Sequence, residues 1–491
     1  MALPQKAVII GAGVAGIATA IRLTLKGYRV EIFEANSYPG GKLSEFSQNG
    51  YRFDAGPSLF TMPQYVDELF TLAGKNPREH FNYQKLDVVC NYFYEDGTQL
   101  SAYADTARFA KEIENKTGED GQKVVRHLAN SRDIYDITHH VFLESSLHRL
   151  QTYLRWDTVR SVFRLPRIDA MRTMHQANAK AFSDERVIQF FDRYATYNGS
   201  NPYEAPATLN VIPHLEHHFG AWFPEGGMYA ITQKLVKLAE DLGVNFNYNS
   251  PVSEVVVING IAKGVRTNGN NVVADVVVSN MDVWFTYKKL LEKHPALHPQ
   301  NILNQERSSS ALIFYWGVKK QFPQLDLHNI FFSADYRAEF QHMWQQQTIY
   351  HDPTVYVNIS SKLKETDAPE DCENWFVMIN VPANNGQDWD QLIAQARTNI
   401  ITKLSRLLNT DIGTLIECES VLDPRSIESR TSSYKGSIYG TSSNNRFAAF
   451  LRHANRSSKV KGLYFAGGSV HPGGGIPLCL LSAKIVSESL T

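Results

Sequence analysis

The sequence predicts an α/β fold, in which a Rossmann-like nucleotide-binding domain is assembled from three separated stretches and interleaved with a helical and a β-rich insert. Three observations carry this expectation. Residues 7–33 read as strand, helix and strand, with a glycine turn at the first junction. Strand and helix patterns of the same kind return in the middle of the chain and at its end. Between 311 and 381 the runs ALIFYWGV, TVYVNIS and WFVMINV are β-branched and aromatic, as strands are. A chain of 491 residues is also too long for one compact core, so two or three lobes are expected.

In chain order, the β-branched run at 7–10 is the first strand, 14–26 a helix and 30–33 the second strand. Further strands lie at 88–94 and 99–102, turning at Glu95-Asp96-Gly97. From 105 to 195 the pattern is mostly helical, with charged faces. A helix at 227–241, a strand at 244–248, a hairpin over 252–266 turning at Asn259-Gly260, and a strand at 275–279 restore the nucleotide-fold character. A helix covers 391–408, and the strand GLYFAG with a helix over 476–490 closes the chain. The predicted division is therefore 1–75, 221–300 and 426–491 for the nucleotide-binding domain, 76–220 for the helical part and 301–425 for the β-rich part.

Composition excludes several classes. The apolar share of 43% is that of a globular protein. A formal net charge of −1 gives no electrostatic reason to expect a nucleic-acid partner. Cys90, Cys372, Cys418 and Cys479 are far apart and form no CxxC pair, so neither a metal site nor a disulfide framework is expected, and a reducing cytoplasm fits. The short apolar run at the start passes straight into a glycine turn, which marks a strand rather than a signal peptide. No run of about 18 apolar residues occurs, so no membrane span is expected.

The first motif is Gly11-Ala12-Gly13-Val14-Ala15-Gly16, a G-x-G-x-x-G between strand and helix. Gly11 permits the tight turn, Gly13 lets the backbone approach a pyrophosphate, and Gly16 allows close helix–strand packing. The helix N-terminus offers free N–H groups to the phosphates. Glu34 ends the second strand, where a carboxylate can accept both ribose hydroxyls and would repel a 2′-phosphate. Together these features point to a dinucleotide, and against NADP.

The segments beyond Glu34 resemble known flavoproteins. Tyr38-Pro39-Gly40-Gly41-Lys42-Leu43-Ser44 resembles the R-x-G-G-[RK] extension of the flavin amine-oxidase-like superfamily, and Tyr51-Arg52-Phe53-Asp54-Ala55-Gly56-Pro57 resembles its downstream D-x-G stretch. Phe223-Pro224-Glu225-Gly226-Gly227-Met228, with Val252 further on, resembles its P-x-G-G turn and the strand that borders the adenine. The stretch GLYFAGGSVHPGGGIP, from Gly462 to Pro477, is similar to the C-terminal signature of carotenoid (phytoene-type) desaturases, with Val470 where a smaller residue is usual. Asn198–Ala207 and Pro353–Ser361 also look like that family, so the resemblance runs over nearly the whole chain.

The resemblance implies a flavin amine-oxidase-like architecture, FAD as cofactor, and a carotenoid as substrate. It places Gly11, Gly13, Ala15, Gly16, Glu34, Gly40, Gly41, Lys42, Gly56, Pro57, Ser58, Val252, Gly467, Gly468, Gly475, Ile476 and Pro477 around the cofactor. Pro477 suits a first helical turn, and the dipole of the 476–490 helix would stabilise the negative charge of a reduced flavin. His471 is the candidate for proton transfer, but with no nearby acid to orient it the residue reads first as a structural residue or a flavin contact. Hydride loss from an allylic C–H, then loss of a proton, is the implied order. The branch implied is C-3,4 desaturation of a 1-hydroxylated carotenoid, with phytoene desaturation, redox-neutral isomerisation and a non-enzymatic prenyl-lipid escort as alternatives. Oxygen and a quinone are both open as electron acceptor.

A substrate that lives in a bilayer asks for a docking surface. Residues 142–174 carry Arg149, Arg155, Arg160, Arg164, Arg167 and Arg172, with Leu143, Leu147, Leu150 and Leu154 at helical spacing and Trp156 and Phe163 nearby. This pattern fits a peripheral membrane contact, or a helix whose leucines face a core. In the β-rich part, Phe314, Trp316, Phe331, Tyr356, Trp375 and Phe376 either line a tunnel or pack on helices.

Overall fold

The computed structural model describes residues 4–139, 143–144, 164, 168–445 and 452–490. Its organising element is a five-stranded parallel sheet in the order Leu463–Phe465, Val276–Ser279, Lys6–Ile10, Arg29–Phe33, Asn245–Asn247. The three separated stretches thus meet edge to edge. The first strand is apolar on both faces because both are covered. Ala7 and Ile9 face the helices Val14–Leu25, Ala230–Asp241 and Ile476–Ser489. Val8 and Ile10 face an antiparallel sheet of Val252–Ile258, Ile261–Thr267 and Asn270–Val273.

Two Asn-Gly turns build that small sheet. Asn259 and Gly260 both have positive φ (50° and 74°), as a tight hairpin turn requires. A second pair, Asn268-Gly269, repeats the geometry (47° and 80°) and adds the third strand beyond the predicted hairpin. The helix predicted from 227 begins only at Ala230, because Gly226 and Gly227 both sit at φ +92°, outside helical space.

The second body is a seven-stranded sheet in the order Ile416–Leu422, Ser310–Val318, Glu373–Val381, Val355–Asn358, His328–Phe331, Val88–Phe93, Gln99–Tyr103. Its pairs are antiparallel except that of His328–Phe331 with Val88–Phe93. Val88–Phe93 and Gln99–Tyr103, both within 76–220, therefore continue the sheet of the β-rich part. One sheet face buries Phe314, Trp316, Phe331 and Trp375 beneath the helix Trp389–Leu407. Tyr356 and Phe376 lie on the other side and line a cavity, so the six aromatics divide by strand alternation. The helices Thr106–Thr117, Gly121–Thr138 and Glu185–Asp192 pack on the far end through Phe109, Ile113, Val124 and Phe190.

Most of 142–174 lies outside the described residues, including Arg149, Arg155, Arg160, Arg167, Leu147, Leu150, Leu154, Trp156 and Phe163. Among the described residues no helix is long and apolar enough to cross a membrane.

Candidate functional site

The glycine turn after the first strand is held from two sides. A Cβ on Gly13 would lie 2.5 Å from Asn280 Oδ1, and one on Gly16 would lie 2.3 Å from Gly11 O, so neither position admits a side chain without movement. Asn280 comes directly after the strand Val276–Ser279. Its backbone N–H donates to Ile10 O at 2.8 Å and its Nδ2 donates to Ala466 O at 2.7 Å. It ties the beginning, middle and end of the chain together at one point. The helix Val14–Leu25 starts there with no side-chain cap, leaving N–H groups for an anion.

Glu34 is buried beside this turn. Its Oε2 accepts from Ala12 N at 2.7 Å, and its Oε1 accepts from the backbone and side-chain nitrogens of Asn36 at 2.9 Å. Gly40 donates to Ala12 O at 2.8 Å, which brings the second glycine pair against the first. Lys42 donates through Nζ to Ile438 O at 3.0 Å, and burial holds its pKa below the ordinary lysine value, with Asp282 opposing. Gly56 packs on this segment so tightly that a Cβ would lie 1.7 Å from Lys42 O. Asp54 accepts from Met228 N at 3.0 Å and Tyr229 N at 2.9 Å, so the Asp54-Ala55-Gly56 and Pro224–Gly227 motifs are one structural unit.

The C-terminal loop completes the wall. Gly467 N donates to Ser482 Oγ at 3.1 Å, and a Cβ on Gly474 would meet the Tyr439 ring at 2.7 Å. Gly475 precedes the helix Ile476–Ser489, which has Pro477 in its first turn and no side-chain cap; a Cβ there would meet nothing within 4 Å. This is the opening against which a planar ring can lie.

One cavity of about 770 Å³ joins these parts. Of His471 and the residues expected around the cofactor, all line it except Gly16 and His471. Gly16 serves helix–strand packing. His471 is 1% exposed and stands behind the loop; its N–H donates to His453 O at 3.0 Å and its carbonyl accepts from Asn455 Nδ2 at 2.8 Å, while its neighbour Pro472 does face the cavity.

The structure adds residues that no local motif marks. Asp282 pairs with Arg307, and the cavity-lining Arg452 donates to Tyr439 O and Thr441 O, both at 3.1 Å. Burial, reinforced by Arg307, pushes Arg452 down to about 10. On the substrate side, Leu209, Ile212, Ile330, Phe340, Phe376 and Met378 make the wall apolar. Arg193 lies in a cage of tyrosines, 3.3 Å from Glu216, whose carboxylate also accepts from Tyr194 at 2.7 Å and Tyr197 at 2.6 Å. Glu339 lines the cavity with both oxygens bonded to Thr354, and burial raises it to about 7. Sequence spacing does not find these groups, because partners such as Glu216 for Arg193 and Thr354 for Glu339 stand on other segments, 23 and 15 residues away.

Residues 14–491 match the family described as flavin containing amine oxidoreductase. The chain belongs to that family. Within the flavin-containing amine oxidoreductases it groups with the carotenoid desaturases. It is 49% identical over 484 residues to a 1-hydroxycarotenoid 3,4-desaturase of Flavobacterium sp. (strain P99-3), covering 99% of this chain and 98% of the relative. It is 33% identical over 493 residues to a 4,4'-diapolycopene oxygenase of Methylomonas sp., covering 99% and 98%. In fold it is similar to an oxidoreductase from Methanosarcina mazei, with a TM-score of 0.65 at 17% identity, covering 98% of this chain and all of that one. Family membership implies a flavin cofactor. The residues present fit one: the uncapped glycine turn at Gly11–Gly13, the Glu34 carboxylate and the open face at Gly475 all line one cavity.

Proposed function

We propose that the chain is an FAD-dependent desaturase that forms the C-3,4 double bond of a 1-hydroxylated carotenoid. The observation that carries this reading is the continuity of one cavity from Glu34 and Val252, past Lys42 and Gly475, to the apolar wall of Phe340, Phe376 and Met378. Its polar end favours FAD over a mononucleotide, because Glu34 and Val252 stand where the adenosine half would lie. Gly11, Gly13 and Ala15 would then hold the pyrophosphate, with Gly16 packing the helix on the strand behind them. Gly40, Gly41, Lys42, Gly56, Pro57, Ser58, Gly467, Gly468, Gly475, Ile476 and Pro477 surround the ring. FAD supplies the two-electron acceptor for a hydride from an allylic C–H, and the substrate then releases a proton.

The protein's own part is placement and dryness. The apolar wall excludes water, so a delocalised cation is not captured before it sheds its proton. The uncapped N-terminus of the helix Ile476–Ser489 and the Lys42 side chain, both at the cavity wall, would stabilise negative charge developing there. The burial of His471 behind the loop favours a positioning role: His471→Ala is expected to slow single-turnover flavin reduction by less than about 10³-fold with FAD retained.

In this division of labour, 1–75, 221–300 and 426–491 bind the cofactor, and 76–220 with 301–425 bind the carotenoid. Residues 142–174 are proposed to rest on an anionic membrane surface, from which substrate enters and where oxygen or a quinone reoxidises the flavin. The test is anaerobic incubation of the purified holoprotein with a 1-hydroxylated carotenoid and, separately, with phytoene. One flavin bleached per double bond formed, with the hydroxylated substrate preferred, is the expected result. Isomerised product at unchanged flavin absorbance, or a colourless protein, overturns the reading.

A further inference from the structure

Most of the substrate wall is apolar, and among the polar groups that interrupt it beside Arg193 and Glu339 is a cluster of three side chains. Ser58, Tyr356 and His328 come from three separate segments and all line the cavity. Ser58 Oγ lies 2.7 Å from Tyr356 Oη, which lies 2.7 Å from His328 Nδ1. The direction of these bonds is set by Asn358, opposite His328 in the strand pair. Asn358 Nδ2 donates to Leu327 O at 3.0 Å, which fixes it as the amide nitrogen, and it also lies 3.2 Å from His328 Nδ1. That ring nitrogen is therefore the acceptor. Tyr356 donates to it, and Ser58 donates to Tyr356. The relay thus turns oxygen lone pairs toward the cavity.

Anchoring does not account for the cluster. The loop bearing Ser58 is already pinned to the same sheet by Tyr315, whose hydroxyl donates to Ala55 O at 2.9 Å. His328 Nε2 is buried with no hydrogen-bond partner, an unfavourable arrangement for a residue kept only for packing. Burial pushes the imidazole down to about 4, so the ring is neutral near pH 7 and acts by hydrogen bonding rather than by charge.

We propose that Ser58, Tyr356 and His328 form the subsite that recognises the hydroxyl of a hydroxylated polyene, accepting its hydrogen bond and setting which end of the chain enters the flavin site. This deepens the proposed function and rests on its assignment of the substrate. C1 and C3 flank a single carbon, so whatever reads a hydroxyl on C1 must stand beside the reacting carbon. Ser58 is two residues from Gly56, whose backbone packs directly on Lys42, within the segment proposed to surround the ring. A site built to bond a hydroxyl discriminates against an analogue lacking it, because its buried polar groups are left unpaired.

The test compares three substrates on the holoenzyme: a 1-hydroxylated carotenoid, its 1-methoxy ether, which accepts but cannot donate, and the hydrocarbon lacking the oxygen. Wild type is expected to favour the hydroxylated substrate by about 10- to 100-fold in kcat/KM over both others. In Tyr356→Phe and Ser58→Ala that ratio falls toward one, and Ser58→Thr restores it. Equal losses on the hydroxylated and hydrocarbon substrates would mark an anchor and overturn the proposal, as would a wild type without preference. Flavin absorbance and melting temperature report whether each variant is folded. Absence of any desaturation by wild type removes the parent reading instead. The Kd ratio of hydroxylated to hydrocarbon carotenoid, read from the carotenoid absorbance shift on the oxidised protein, then decides the subsite alone.

Discussion

Single glycines in this protein divide into those that leave room and those that only turn the chain. Gly56 is of the first kind: a Cβ there would meet the backbone carbonyl of Lys42 at 1.7 Å, and a carbonyl cannot swing aside as a side chain can. Gly56→Ala is expected to displace Lys42, destabilise the fold by about 1–3 kcal/mol, and lower the ratio of flavin to protein absorbance after purification. Gly97 is of the second kind. It sits at φ +84° in an exposed hairpin turn with nothing within 4 Å of a Cβ. Gly97→Ala is expected to cost about 1 kcal/mol and to leave flavin content unchanged. Equal flavin loss in both variants would refute the distinction.

Among elements, the closing strand and helix are joined by a residue outside every motif. Asn455 Nδ2 donates to His471 O at 2.8 Å and Ser482 Oγ at 2.9 Å, and lies 3.3 Å from Phe465 O. It thereby fixes the strand Leu463–Phe465, the glycine loop and the helix Ile476–Ser489 relative to one another. Asn455→Ala is expected to lower stability by about 1–3 kcal/mol and to weaken flavin retention, measured by thermal shift with and without added FAD. Asn455 also shows where sequence reading ends. Glycine loops and Asn-Gly turns are legible because the constraint lies within a few residues, as at Gly16 against Gly11 or at Asn259-Gly260. The roles of Asn280, Arg452 and Asn455 arise from contacts with distant segments, and nothing adjacent in sequence announces them. The same holds for Val88–Phe93, which reads correctly as a strand but whose pairing with His328–Phe331 spans more than two hundred residues.

Over the whole molecule, buried ionisable groups set the pH response. Burial pushes His127 and His328 down to about 4 from the ordinary value of 6.5. The unfolded chain takes up these protons near pH 6.5 and the folded chain only near 4, so stability is lost as pH falls through that window, by up to about 3 kcal/mol per group. Glu339 acts oppositely. Held neutral by burial up to about 7, it loses stability for the fold as pH rises from 4.5 to 7. Two histidines outweigh one carboxyl, so the melting temperature is expected to fall between pH 6.5 and 5. Glu339→Gln is expected to raise it by several degrees at pH 8 and little at pH 5. Thermal unfolding across pH 4.5–8 checks both, and a flat profile below 6.5 would count against them.

The parallel sheet places Leu463–Phe465 at one edge, beside Val276–Ser279, with Lys6–Ile10 in the centre. On the ribosome, therefore, the first strand emerges with one neighbour, Arg29–Phe33, close behind it and the other, Val276–Ser279, long after. Lys6–Ile10 must wait for nearly three hundred residues before Val276–Ser279 can pair with it, and the wall at Gly475 is made last of all. Cofactor loading is then an event that comes after translation, and the nascent chain carries a largely apolar strand with one edge open through more than half of its synthesis. Chaperone demand and flavin supply, rather than the rate of translation, are expected to limit the yield of active protein in cells.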